Sequence, residues 1–359
     1  MHPSECRDSH ETEDLIRIFE KELVENNILW AWDYLDNERD SCLLGVKNNN
    51  SNEIWSNYAI IIQGPLENLN IVEMAIDRYF IFYPKINIIV SSWAETNYIN
   101  IQKIKDKYGQ KENFHIILSW TPEFRGYGGM NTNLQIISTI KGIRYAKHIK
   151  VKYVLKHRSD VVFGEPRFMH ILNTHHRFFK DNIANGQKGR IIVGSMNSFR
   201  CRPFSISDHF SYGYIEDMEL MWDLKLPNCN SERRSVNELV ITGQEKEPMV
   251  GSDLDHLMWS AKPVLMDEAY LVSNLMKGSG NLYTADWKDS KIFVASCFIV
   301  MDTSSLNIFW NKYGWSISHS KYRHKSISNF DDSNYGQLEI GFHDWLEWYM
   351  MLDKSKVRT

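Results

Sequence analysis

The strongest constraint on this chain is an apolar run without interruption, Tyr58-Ala59-Ile60-Ile61-Ile62, stopped at once by Gln63-Gly64-Pro65. A strand with one wet face alternates apolar and polar residues. A continuous apolar run reads instead as a strand covered on both faces, the habit of parallel sheets. Such a strand needs helices on either side, and the chain supplies them in turn. Leu69, Val72, Ile76, Tyr79 and Phe80 stand at helical spacing and stop before Pro84, where a helix loses its next amide donor. Ile86 to Val90 reads as a second buried strand, ending in Ser91-Ser92-Trp93, and Phe114 to Leu118 as a third, ending in Ser119-Trp120. Asn133 to His148 predicts a helix with Ile136, Ile140 and Ile143 on one face. Tyr153-Val154-Leu155 opens a fourth strand that leads to Arg158-Ser159-Asp160. Strand and helix alternate, so the fold class is α/β: a Rossmann-type, mainly parallel sheet flanked by helices.

The flanks are expected to be helical additions. Leu15, Ile16, Phe19, Leu23 and Ile28 give helical spacing within Glu13 to Trp32, and the polar run Asn48 to Asn52 marks a boundary. The division that follows is an appendage over residues 1–55, a nucleotide-binding catalytic domain over 56–300 and an aromatic, helical extension over 301–359. Later elements are a strand at Arg190 to Gly194, a turn at Gly213, a helix at Asp217 to Trp222 and a capping box at Ser252 to Asp255 before a further helix. Phe293 to Met301 reads as a buried strand, and His343 to Leu352 as a helix.

Bulk properties exclude some classes. A net charge of −4 argues against a general nucleic-acid binder, which shows a strongly basic face. Five scattered cysteines without a C-x-x-C pair fit neither a zinc ribbon nor a disulfide scaffold. Met1 to Asp14 is polar and charged, unlike a secretory signal, and no stretch reaches the ~20 apolar residues a spanning helix needs. The expected location is the cytoplasm.

In open α/β sheets ligands bind beyond the carboxyl ends of the strands, so the strand ends hold the candidates. Arg158-Ser159-Asp160 is the most informative. An Asp there can hold Mg²⁺ or Mn²⁺ while the Arg faces phosphate; the plainer alternative is an Arg–Asp pair closing the strand. A D-x-D signature is incomplete, because Arg158 takes its first acidic position. Glu216-Asp217 opens a helix, where acids cap, or where one could serve as a general base. Gly126-Tyr127-Gly128-Gly129 enters a helix but matches no phosphate-loop spacing. His175-His176 lacks a metal motif and reads as a solvated helix face.

Together, Ile60 to Pro65, Ile88 to Trp93, Asn131 to Gly142, Tyr153 to Asp160, Ile191 to Ser195 and Pro203 to Asp217 resemble blocks of the WavE lipopolysaccharide-synthesis family. The resemblance implies a GT-A-like glycosyltransferase of surface-polysaccharide synthesis, using a nucleotide-diphosphate sugar, a divalent cation (Mn²⁺ or Mg²⁺) and a glycan or glycolipid acceptor. A glycolipid acceptor would bring the protein to the cytoplasmic face of the membrane. On this basis Gln63, Gly64, Pro65 and Ser92 line the nucleotide pocket. Asn133 and Gln135 supply an N-x-Q element, Arg158 contacts the diphosphate and Asp160 faces the metal. Asp208, Glu216 and Asp217, from the D…G…ED pattern, are the catalytic candidates. Leu134 stands where an Arg would be expected, leaving Arg125 or Arg144 to supply that charge. The competing classes are a metal-dependent phosphoesterase and a non-catalytic carbohydrate- or nucleotide-binding relative. A dinucleotide oxidoreductase lacks its glycine fingerprint.

Overall fold

The computed structural model describes residues 54–95, 98–123, 131–181, 183–184, 186–200, 204–226, 270–279, 287–310 and 339–352. The expected helix at Glu13 to Trp32, the Gly126 to Gly129 loop, Arg125 and the capping box at Ser252 lie outside these residues. No helix among them is long and apolar enough to cross a membrane.

The first half alternates as its apolar runs require. β1 (Tyr58–Gln63), α1 (Leu69–Phe82), β2 (Asn87–Trp93), α2 (Tyr98–Tyr108), β3 (Phe114–Ser119), α3 (Thr132–His148) and β4 (Tyr153–Arg158) follow one another. Next come β5 (Val161–Phe163), α4 (Phe168–Phe178), β6 (Ile191–Gly194), β7 (Phe210–Tyr214) and α5 (Ile215–Trp222). The last described elements are α6 (Ser273–Gly278), α7 (Trp287–Cys297), β8 (Phe298–Met301), β9 (Ile308–Trp310) and α8 (Phe342–Met350).

Among the described residues seven strands form one sheet in the order β3-β2-β1-β4-β7-β6-β8. All its pairings are parallel except those of β7, which runs against both β4 and β6. Neighbouring residues of β4 point to opposite faces and show what covers each. Lys156 lies under the Trp222 ring of α5, 4.5 Å from its centroid, and its register partner Ile61 meets Gly142 of α3. His157 points the other way, where its Nε2 lies 3.2 Å from the Tyr79 hydroxyl of α1. The sheet is therefore sandwiched, as its uninterrupted strands demanded.

Three local expectations need correction. Phe293 to Met301 is not one strand: Phe293 to Cys297 closes α7, and only Phe298–Met301 is β8. An all-apolar run cannot distinguish a buried helix turn from a buried strand by periodicity. His176 is buried rather than solvated, edge-on to Tyr153, Tyr212 and Tyr214. Gly213 is no turn. It sits inside β7, opposite Val154, and this displaces the residues that follow it.

The order reverses beside β1, whose chain leads outward to β2 and β3 before returning to β4 on its other side. At that switch point Ser159 N donates to Gln63 O (2.7 Å), Ser159 Oγ to Pro65 O (2.7 Å) and Gly64 N to Ser91 O (3.1 Å). Gly64 has φ +129°, and a Cβ there would come within 2.8 Å of Ser159 Oγ. Gly64→Ala should therefore cost about 1–3 kcal/mol, the usual scale of strain at such a dihedral. A lowered urea midpoint would show it; an unchanged midpoint would mean the turn relaxes freely.

Candidate active site

The carboxyl ends of β1 and β4 carry a compact charged cluster. Arg158 Nε and Nη2 each donate to one oxygen of Asp160, both at 3.0 Å, a bidentate pair. Its Nη1 lies 3.7 Å from Asp208 Oδ2, so one guanidinium stands between two carboxylates. Trp310 Nε1 donates to Asp160 Oδ2 at 2.9 Å, and the Trp310 ring packs edge-on to His209. Trp310 arrives because β9 pairs with β5, with Val161 opposite Trp310. Beneath the cluster, Lys156 Nζ donates to Asp208 O at 2.5 Å.

Burial and neighbouring charge set the protonation states. Burial pushes Lys156 down to about 7, Asp208 opposing and Arg158 adding to the effect. His157 and His209 are held by burial at about 4 and about 3, so both are neutral imidazoles near pH 7. Burial would raise the carboxyls of Asp160 and Asp208, yet both lie below the ordinary range. The Arg158 charge and hydrogen bonds, with Trp310, hold Asp160 down. At Asp208, His209, Arg158, Lys156 and a hydrogen bond from the Gln135 side chain act together. With His209 neutral, Arg158 is the fixed cation that keeps Asp208 ionised.

Several buried polar atoms around this edge meet no protein partner: Gln63 Oε1, Ser92 Oγ, Ser119 Oγ and His209 Nε2. Stranded polar groups are costly in an interior, and here they line the ends of β1, β2 and β3 and the start of β7. Thus Gln63, Gly64, Pro65, Gln135, Arg158, Asp160 and Asp208 are brought together, Ser92 is the last but one residue of the adjacent strand, and Asn133 is buried in the first turn of α3. Trp310 and His209 belong to the same cluster, although neither stood out in the sequence.

Glu216 and Asp217 do not join them. β7 runs antiparallel from Phe210, opposite His157, to Tyr214, opposite Tyr153. Those four steps of strand carry the chain roughly 13 Å to the amino edge. There Asp217 accepts amide hydrogens from Lys188 and Gly189, both at 2.8 Å, and Glu216 pairs with Lys188 Nζ at 2.6 Å. Arg144 is also remote, paired with Asp223 at 2.9 Å, twelve residues and about 18 Å along α3 from Thr132.

Burial pushes the Asp217 carboxyl up to about 6, against its two amide donors. A folded value above the unfolded one means the neutral form favours the fold. That contribution is complete below about pH 4 and is lost as pH rises through about 6, roughly 3 kcal/mol in all. Asp217→Asn should flatten this part of the stability–pH profile in urea melts. An unaltered slope would assign it to other carboxyls.

Residues 58–352 match the protein family described as WavE lipopolysaccharide synthesis. The chain belongs to the WavE family. The matched range takes in the whole described seven-stranded sheet and α8, and it includes Arg158, Asp160, Asp208 and Trp310. No curated protein matches the chain. Among solved structures, a cytidylyltransferase from Leptospira borgpetersenii serovar Hardjo-bovis is 11% identical, with 51% of this chain and 70% of that one covered and a TM-score of 0.31. A glycosyltransferase involved in glycosylation of the major capsid of PBCV-1 is 11% identical, covering 46% and 65% at a TM-score of 0.26. A mannosyltransferase from Pyrobaculum calidifontis, in complex with GDP-Man and Mn²⁺, is 12% identical, covering 74% and 84% at 0.30. Likeness at that level leaves the function of this WavE chain to its own site.

Proposed function

We propose that this WavE protein is a glycosyltransferase with a GT-A-like fold. It would move a sugar from a nucleotide-diphosphate donor to a hydroxyl of a glycan or glycolipid acceptor in surface-polysaccharide synthesis. The observation that carries the proposal is the bidentate Arg158–Asp160 pair at the switch point of a mainly parallel sheet, where such sheets bind their ligands. The donor lies across the ends of β1 and β4, with Gln63 to Pro65 and Ser92 toward the nucleotide.

In the reaction the bond from the anomeric carbon to the diphosphate oxygen breaks. Its electron pair leaves with the nucleoside diphosphate, and the acceptor oxygen bonds the same carbon as its proton passes to an oxygen of the departing diphosphate. Negative charge therefore grows on the diphosphate, and the Arg158 guanidinium, held at the carboxyl edge by Asp160 and Asp208, would stabilise it. Asp160 and Trp310 fix the orientation of Arg158. Asp208, held ionised, is suited to accept a hydrogen bond from a sugar hydroxyl rather than to donate a proton. A glycolipid acceptor would bring the protein to the cytoplasmic membrane surface.

The test is to incubate purified protein with a panel of nucleotide sugars and saccharide or lipid-linked acceptors, following products by mass spectrometry. One donor class should yield a product heavier than the acceptor by one sugar residue. Donor hydrolysis without transfer would favour the phosphoesterase, and unchanged donors throughout would sink the proposal.

A further inference from the structure

Mg²⁺ or Mn²⁺ at a phosphate site needs near-octahedral room and one or two carboxylates with acceptor positions to spare. The donor set here does not offer that. An ionised carboxylate has about four acceptor positions. Three of those on Asp160 are taken, by Arg158 Nε at Oδ1 and by Arg158 Nη2 and Trp310 Nε1 at Oδ2. Neither donor is loose. Arg158 ends a central strand, and Trp310 is held in register against Val161. Asp208 faces the other side of the same guanidinium and takes the Gln135 hydrogen bond. Among the described residues no group of three or more His, Cys, Asp or Glu side chains converges to hold an ion. The guanidinium thus occupies the place between two acids where a bridging ion would stand.

We infer that this site grips the donor's diphosphate through Arg158 and works without a divalent cation. The inference rests on the nucleotide-sugar reading above and goes beyond it by assigning the ion's electrostatic role to one side chain. A guanidinium suits the task as a fixed positive charge: its Nε–Nη2 edge is held by Asp160, so it acts on the phosphates through its charge. One other feature adds positive potential at this edge: the amino terminus of the 17-residue α3 opens toward it. The sequence signature agrees with the geometry: Arg158 replaces the first acid of a D-x-D pattern, and the second acid is spent on holding it.

The experiment is calorimetric titration of the full chain with inorganic pyrophosphate and with each nucleoside diphosphate, in EDTA and again in Mn²⁺. Electron paramagnetic resonance would follow Mn²⁺ itself. The preferred nucleotide should bind with dissociation constants that agree within about threefold in the two conditions, and protein alone should leave the Mn²⁺ spectrum unchanged. Arg158→Asp, checked for folding by circular dichroism, should lose about tenfold or more of this affinity in EDTA and recover it with Mn²⁺. Should that variant not fold, the wild-type titrations decide alone. Wild-type binding that collapses in EDTA and returns with Mn²⁺ overturns the inference and leaves the transferase reading standing. Binding of no nucleotide in either condition overturns both.

Discussion

Replacing Arg158 with glutamine should lower sugar transfer by about 10²- to 10³-fold, the usual effect of removing one preorganised donor from developing charge. Among the described residues the guanidinium has no substitute nearby: Lys156 is buried beneath the floor, and Arg144 is engaged with Asp223 far along α3. The substitution also strands Asp160 and Asp208 without their shared counter-ion. A fall in stability of about 1–3 kcal/mol should accompany the loss, less than for a fully buried pair because both partners keep some solvent contact. Arg158→Lys keeps the charge but not the fork, so it should recover activity only in part, remaining about tenfold down. Rates would be measured at saturating donor on protein shown to be folded. Near-normal turnover in the glutamine variant would remove Arg158 from the chemistry.

Asp208→Asn should lower turnover by about 10- to 100-fold, while Asp217→Asn should stay within about twofold of wild type. The contrast follows from strand direction. Asp208 precedes β7 at the carboxyl edge, 3.7 Å from the Arg158 guanidinium, and its negative charge helps to fix that side chain. Asp217 follows β7 at the amino edge, where it is spent on the Lys188 and Gly189 amides. If the effects came out reversed, the acceptor would have to approach the other edge of the sheet, and the site described here would be misplaced.

Much of the sheet was legible because its strands are apolar without interruption. β1, β2, β3 and β4 begin and end within three residues of the expected positions. Their carboxyl ends named Gln63 to Pro65, Ser92, Arg158 and Asp160 directly, since a strand end is local in sequence. The separation of Glu216-Asp217 from the cluster was hidden by weighing Gly213 as a turn. Phe210, Tyr212 and Tyr214 alternate with Ser211 and Gly213, the period of a strand, so the signal was present and the glycine obscured it. Trp310 was not legible. It reaches Asp160 through the β5–β9 pairing, across 150 residues of chain, and no local pattern announces such a contact. His209 was hidden for a related reason: only the assembled sheet shows that burial keeps it neutral beside Asp208.

The most direct measurement is nucleoside-diphosphate binding by calorimetry to three proteins in parallel: wild type, Arg158→Gln and Asp217→Asn. One nucleotide should bind wild type and Asp217→Asn alike and bind Arg158→Gln at least about tenfold more weakly. Binding that survives Arg158→Gln but fails in Asp217→Asn, or no binding to wild type at all, would contradict a donor site at the carboxyl edge.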